Sequence, residues 1–211
     1  MTLLPLPVAF YNRSVLEVAR DLLGQRLVRE IDGQRVAGYI TETEAYQGES
    51  DLACHARAGL TARNEVLYGP PGRAYVYFIY GVHWMLNCVA EPDHQPAAAL
   101  IRAMVPSEGL SYIVERRKGA RQQDWTNGPA KICQALDIDS AFNGADLTSP
   151  QEHLWVEPGY AVPETSIITG PRVGIANVPE PWRSIPWRFR VDLKAWNLPP
   201  DAIQMIGEEQ P

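Results

Sequence analysis

The stretch Tyr75-Val-Tyr-Phe-Ile-Tyr80-Gly81-Val-His-Trp-Met-Leu-Asn87 predicts two strands joined by a tight turn. Aromatic and β-branched residues, which favour strands, lie on both sides of Tyr80-Gly81. We therefore expect strands over about 73–79 and 83–90, with alternate side chains on opposite faces. A tyrosine at the tip of such a hairpin leaves its ring in solvent, so we expect Tyr80 to protrude.

Upstream of this hairpin, the sequence predicts a helix followed by a second hairpin. Ser14-Val-Leu-Glu17 has the pattern of a capping box, and apolar residues follow at helical spacing as far as Gly24. Asp32-Gly33 is typical of a two-residue turn, and it separates two strand-like runs over about 25–31 and 35–44.

Downstream, strands and helices follow without the regular alternation of a parallel α/β fold. The expected elements are a strand over about 97–104, helices from Ser107 to about Lys118 and from Pro129 to about Leu136, and strands over Arg172–Ala176 and Trp187–Val191. This order predicts one α+β domain over residues 1–211, with a curved, mostly antiparallel sheet, a protruding β-hairpin and flanking helices.

Composition is that of an ordinary globular protein. Of 211 residues, 45% are apolar and 21% are charged, and no run approaches the ~18 apolar residues of a membrane helix. Residues 1–10 lack a basic start and contain two prolines, so we expect no secretory signal. Three widely spaced cysteines without a CxxC motif predict neither disulfides nor a metal site. We expect a cytoplasmic protein that is not secreted.

The net charge of −6 argues against a nucleic-acid partner, but its distribution weakens that objection. Residues 51–131 carry 9 basic and 7 acidic residues, whereas residues 132–211 carry 5 and 11. Sixteen of the 19 basic residues are arginine, which suits bidentate phosphate contacts.

Two carboxylates, Glu42 and Glu44, end the second predicted strand on one of its faces. Their backbones lie ~7 Å apart by strand geometry, a spacing compatible with cleavage of a glycosidic bond and equally with a solvated strand face. A polar loop containing His55, Arg63 and Asn64 follows, and such loops often carry catalytic residues.

An exposed Tyr80 could insert as a wedge between two stacked base pairs. Arg63 and Arg73 are candidates for holding the flanking phosphates.

Asn87, among aromatic residues, is either a reader of a bound group or a satisfied core amide. Arg102 follows an apolar strand and requires a carboxylate partner, for which Glu44 is the favoured candidate.

Several of these segments resemble the alkyladenine (3-methyladenine) DNA glycosylase family. The resemblance rests on Glu42-Thr-Glu44-Ala-Tyr46, Arg63-Asn64, Pro71 to Gly81, Asn87, Leu100-Ile-Arg102-Ala and Gly128-Pro-Ala-Lys131-Ile-Cys133-Gln-Ala-Leu136. These motifs occur in the same order as in the family. The match extends over about residues 14–191, which we expect to form the core of the domain. Val82 departs from the family, in which methionine is frequent at that position.

The resemblance implies a base-excision-repair enzyme that flips an alkylated purine out of duplex DNA and hydrolyses its N-glycosidic bond. Its partner is then double-stranded DNA with alkylated or deaminated purines, and no cofactor is expected. We expect a monomer, the default for a protein that encloses one lesion, and association with the nucleoid if the source is bacterial. The implied roles are general base for Glu44, support of the water for Arg102, intercalation for Tyr80, and a base pocket of Tyr46, His55, Tyr77, Asn87 and Leu100.

Lysine usage favours hydrolysis over a lyase mechanism. Only Lys118, Lys131 and Lys194 occur, and none lies in the segments expected to form the pocket. A Schiff base is therefore disfavoured, and water is the expected nucleophile. Two other interpretations are a nucleic-acid-binding module without activity and a hydrolase of carbohydrates or free nucleosides.

Overall fold

The computed structural model describes residues 4–203 and contains, within them, one antiparallel sheet of eight strands. The strands are β1 (Arg26–Ile31), β2 (Gln34–Gln47), β3 (Ala74–Ile79), β4 (His83–Ala90), β5 (Ala97–Glu108), β6 (Leu154–Glu157), β7 (Ile167–Gly170) and β8 (Arg188–Val191). The short α-helices are α1 (Val8–Tyr11), α2 (Val15–Asp21), α3 (Leu110–Arg116), α4 (Pro129–Ala135) and α5 (Pro200–Ile203). Residues 1–3 and 204–211 of the expected domain lie outside the described part.

Strand β2 organises the sheet because it pairs with three other strands. Its first half pairs with β1, and most of its length pairs with β5. Near its end, β8 occupies the edge that β1 has left, opposite residues 42–44. The main path runs β3-β4-β5-β2-β1-β6, and every pairing is antiparallel. The expected α+β class with a mostly antiparallel sheet is confirmed.

Both predicted hairpins are present. Asp32 and Gly33 have φ angles of 51° and 72°, the left-handed pair that a two-residue turn between twisted strands requires. Strands β3 and β4 pair from Ala74↔Cys88 to Ile79↔His83, which places Tyr80-Gly81 at the tip.

The helix predicted after Ser14 is present, but the predicted capping box does not form. The Ser14 side chain makes no capping hydrogen bond. Instead, the carboxylate of Glu91, distant in sequence, accepts a 3.1 Å bond from the first helical amide, Val15 N. The helix is fixed by burial of its apolar face and by Thr43 Oγ1, which donates to Ala19 O at 2.5 Å.

The helix expected from Ser107 begins later, at Leu110. Strand β5 continues to Glu108, because pairing with β2 extends that far. Gly109 then turns the chain with φ of 70°. A Cβ there would lie 2.5 Å from Arg35 O, so this close turn requires glycine.

The strand expected over Arg172–Ala176 is wrong. Strand β7 lies earlier, at Ile167–Gly170, and the chain leaves the sheet at Arg172 because that guanidinium is buried in an ion pair with Asp51. Strand β6, which pairs with β1, was not predicted.

The α-helices within residues 4–203 are short, and the longest have seven residues. None of those described is long and apolar enough to cross a bilayer. Helix α4 packs on β4 and β5, which brings its first residue, Pro129, to the rim of a cavity beside the β3–β4 hairpin.

Candidate active site

A cavity of about 580 Å³ opens between the β3–β4 hairpin, β5, the loop over residues 53–64 and the loop over residues 173–178. Eight residues predicted for the site contribute to its wall. They are Tyr46, His55, Arg63, Tyr77, Tyr80, Asn87, Leu100 and Arg102. Strand geometry brings four of them, Tyr77, Asn87, Leu100 and Arg102, together because β3, β4 and β5 are neighbours, and Asn87 and Leu100 are register partners.

Glu44 lies directly behind this wall, with its side chain fully buried. Its Oε2 accepts a 2.9 Å bond from Tyr46 OH and a 3.3 Å bond from Arg102 Nη1. Its Oε1 accepts a 2.6 Å bond from Val173 N. All three donors line the cavity, so the carboxylate is separated from it by one layer of hydrogen-bonded groups.

Burial raises the pKa of Glu44 above its usual value. The charge of Arg102, the amide of Val173 and the hydroxyl of Tyr46 oppose this shift without cancelling it. A carboxylate desolvated in this way is a stronger base than one in water.

Arg102 pairs with both carboxylates at the end of β2. Its Nε lies 2.8 Å from Glu42 Oε1, closer than its 3.3 Å contact with Glu44. The expected pairing with Glu44 is confirmed, and Glu42 is an additional partner. Arg188 lies 3.6 Å from the same Glu42 oxygen, so Glu42 is neutralised from two sides.

An aromatic cluster of His55, Tyr75 and Tyr77 forms part of the cavity wall. The His55 and Tyr77 rings meet edge to face at 4.5 Å, and His55 Nδ1 lies 2.9 Å from Tyr75 OH. Burial, together with the charges of Arg63 and Arg57, lowers the pKa of His55 to about 4. His55 is therefore neutral at physiological pH.

Tyr80 extends from the hairpin tip at the rim of the cavity. Its side chain is 79% exposed, and the turn has φ angles of 56° at Tyr80 and 70° at Gly81. The expected protruding tyrosine is confirmed, with exposed Phe78 and Val82 beside it.

A sequence model of the family described as methylpurine-DNA glycosylase (MPG) matches residues 9–195. The chain belongs to this family. It is therefore a DNA-repair glycosylase. Enzymes of this kind hydrolyse N-glycosyl bonds in DNA.

Curated relatives with the name "Putative 3-methyladenine DNA glycosylase" resemble the chain over most of its length. The protein of Methanocella arvoryzae is 51% identical over 87% of this chain and 90% of its own. That of Myxococcus xanthus is 47% identical over 88% and 89%, and that of Bacillus subtilis is 44% identical over 89% and 93%.

The two arginines predicted to hold phosphates occupy different places in this glycosylase. Arg63 is exposed and lines the cavity, with Nη2 3.5 Å from Phe78 O. Arg73 precedes β3, ~20 Å from the hairpin tip by strand geometry, and its guanidinium lies 3.7 Å from Asp146. The fold therefore brings Arg63, but not Arg73, to the cavity.

Asn87 fits one of the two alternatives that the sequence left open, the satisfied core amide. Its Nδ2 donates to Tyr75 O at 3.0 Å, as a satisfied core amide does, and the side chain also lines the cavity.

Sequence reasoning missed Tyr75, Val173, Arg172 and Asp51. Tyr75 shares a strand face with Tyr77, and this alternation could have identified it. Val173 acts through its backbone amide, which carries no signal in the side-chain pattern. Arg172 and Asp51 lie 121 residues apart, and only the fold brings them together.

Among residues 4–203, no three His, Cys, Asp or Glu side chains converge as metal ligands. Cys54 lines the cavity beside His55, and burial raises the pKa of its thiol to about 11.

Proposed function

We propose that this chain removes alkylated purines from duplex DNA by holding the flipped base in the cavity and hydrolysing its N-glycosidic bond with a water activated by Glu44. The observation that carries the proposal is the buried carboxylate of Glu44, held at three points by Tyr46, Arg102 and the Val173 amide, which line the cavity.

Glu44 accepts a proton from the attacking water as its oxygen bonds to C1′ of the sugar. The bond between C1′ and the purine nitrogen breaks, and its electron pair leaves with the base. Water reaches Oε2 by loosening the Arg102 contact, which is the longest of the three at 3.3 Å. The negative charge of Glu44 also stabilises positive charge that develops on the sugar.

The cavity wall suits a cationic base. A purine alkylated at N3 or N7 carries a positive charge and is already a good leaving group. The faces of Tyr46 and Tyr77 attract such a cation by ~0.5–2 kcal/mol per ring contact. His55 adds no repulsion, because its pKa of about 4 keeps it neutral.

Tyr80 inserts into the base stack and fills the gap that the flipped nucleotide leaves. Flipping costs a few kcal/mol, less for a damaged base, and an aromatic plug slows the return. The exposure of Tyr80 on a short hairpin supports this role.

Phosphate contacts come from arginines on the DNA-facing side. Arg63 at the cavity rim neutralises a phosphate beside the lesion, and Arg73 contacts the backbone farther along the duplex. Local positive charge of this kind permits DNA binding by a chain whose net charge is −6.

The reaction ends at the abasic site, without a lyase step. The three lysines, Lys118, Lys131 and Lys194, all lie within residues 4–203, and none lines the cavity. We propose that the chain acts on duplex DNA as a monomer.

The test is release of free bases from dimethyl-sulfate-treated duplex DNA, separated by chromatography. Wild type releases methylated purines, and Glu44→Gln releases none while it still binds the DNA. Glu157→Gln is the matched control, because Glu157 is an equally buried, arginine-paired carboxylate outside the cavity wall. Release by Glu44→Gln at the wild-type rate would remove Glu44 from the mechanism.

A further inference from the structure

A completely buried ion pair joins Asp51 to Arg172 beside the site. Arg172 Nη1 lies 2.5 Å from Asp51 Oδ2, and Nη2 lies 2.9 Å from Oδ1, so the pair is bidentate. Neither side chain has exposed surface. The two-point geometry fixes the orientation of the guanidinium as well as its distance.

Asp51 also orders the loop that leads to the cavity. Its Oδ2 accepts a 3.1 Å bond from Gln47 N, and its Oδ1 accepts a 2.9 Å bond from Ala53 N. Both oxygens therefore hold the chain between the end of β2 and the loop that carries His55.

Arg172 is fixed by further contacts. Its Nη1 donates to Ala45 O at 2.9 Å, in the residue between Glu44 and Tyr46. Its guanidinium lies over the rings of Tyr46, at 4.6 Å, and Trp187, at 5.2 Å. The next residue, Val173, donates its amide to Glu44 Oε1. The arginine thus anchors the chain where it meets the carboxylate.

We propose that Asp51 and Arg172 are positioning residues that hold the Val173 amide against Glu44 and so fix the orientation of that carboxylate toward the cavity. This inference rests on the proposed role of Glu44 as the base. Neither residue touches the substrate; both act through Val173 and Tyr46.

A gain in folding stability does not by itself explain why Asp51 and Arg172 form a buried ion pair. Removing two charges from water offsets much of their attraction, and apolar residues of similar volume often serve as well. A second ion pair, half-buried Arg35 with fully buried Glu157 at 2.7 Å, lies outside the cavity wall and provides an internal comparison.

Removal of the Val173 contact has a specific consequence for Glu44. That amide favours the ionised carboxylate and holds the pKa lower than burial alone would set it. The other charged or titratable groups around Glu44 are Glu42 and Tyr46 on β2, Tyr77 on β3, Arg102 on β5, Arg188 on β8 and Arg172 behind Tyr46. All of them remain in Val173→Pro, and Arg172→Lys keeps the positive charge at position 172.

Arg172→Lys is the variant of choice, because lysine keeps the charge but cannot form the bidentate pair or the planar ring contacts. We expect the single-turnover rate of base release at neutral pH to fall about 10- to 100-fold, as misplaced catalytic groups do. We expect DNA affinity to be unchanged, and the acid limb of the pH–rate profile to move to higher pH. Arg35→Lys is expected to lower Tm without moving that limb.

A ¹³C NMR titration of the Glu44 carboxyl measures the same contact without catalysis. We expect a higher Glu44 pKa in Arg172→Lys than in wild type, and the same increase in Val173→Pro, which lacks the amide donor. Val173→Pro also serves if Arg172→Lys does not fold, as judged by circular dichroism.

The outcomes separate the two proposals. If wild type releases no base but the Glu44 pKa rises in both variants, the proposed function fails and the positioning contact stands. If wild type is active but neither the Glu44 pKa nor the acid limb moves in Arg172→Lys and Val173→Pro, the positioning role is overturned. It is overturned equally if Arg35→Lys moves the Glu44 pKa and the acid limb by the same amount.

Discussion

The Tyr46 hydroxyl donates a 2.9 Å hydrogen bond to Oε2 of Glu44, two residues earlier on the same strand. Alternation along β2 places both side chains on the cavity side of the sheet. Burial and the neighbouring carboxylate raise the pKa of Tyr46 well above its usual value, so the phenol remains a donor. One short segment thus supplies both the base and a group that orients it.

Tyr46→Phe tests this relationship. The ring remains for contact with the base, but Glu44 loses one of its three donors. We expect the single-turnover rate of base release to fall about tenfold, the order of one hydrogen bond to a charged group, with DNA binding unchanged. Tyr160→Phe, an exposed tyrosine outside the cavity wall, is the control. An unaltered rate in Tyr46→Phe would show that its hydroxyl plays no part.

The pH dependence of the rate follows from the state of Glu44. Only the ionised carboxylate accepts a proton, so activity is lost as pH falls through its pKa, which burial raises above 4.5. His55, with a pKa of about 4, adds no ionisation to the pH–rate profile near pH 6.5, where a histidine usually titrates. A single-turnover pH profile of wild type should contain one acid limb, above the usual pKa of a glutamate, and the same limb should appear in Glu157→Gln. A second limb near pH 6.5, or no loss of rate on acidification, would contradict this assignment.

Glu44 is expected to reduce stability at neutral pH. Its raised pKa means that the folded protein binds the proton more tightly than the unfolded chain, so stability falls as pH rises from about 4.5 through the folded pKa. Glu44→Gln lacks this loss. We expect its Tm to exceed that of wild type at pH 7, and the difference to disappear on acidification to pH ~4. A lower Tm for the variant at pH 7 would contradict the direction of the pKa shift.

Tyr80→Ala should weaken capture of the lesion rather than chemistry. Without the plug, the flipped nucleotide returns to the stack more readily, so KM for lesion DNA rises. The rate at saturating DNA should stay near that of wild type. Val114→Ala, an exposed apolar residue on α3, is the control. A loss confined to the saturated rate, with KM unchanged, would be inconsistent with a wedge.

The parts of the fold that the sequence predicted are those set by local chemistry. Asp32-Gly33 adopts left-handed φ angles with little steric cost, so its hairpin follows from two residues. Alternation on β2 and β3 placed Glu44, Tyr46 and Tyr77 on the correct faces.

The parts that were wrong depend on partners distant in sequence. The Ser14 cap was replaced by Glu91, 76 residues from the amide that it accepts. The strand expected at Arg172 did not form, because burial against Asp51 outweighs its local preference. Competition of this kind is decided by tertiary packing, which a pattern of neighbouring residues does not contain.

The central claim is that the buried carboxylate at position 44 drives hydrolysis of the glycosidic bond. The most direct measurement is a single-turnover assay of methylated-base release from duplex DNA, with wild type, Glu44→Gln and Glu157→Gln at equal DNA occupancy. The account predicts release by wild type and Glu157→Gln and none by Glu44→Gln, although all three bind. Equal release by all three proteins would contradict it.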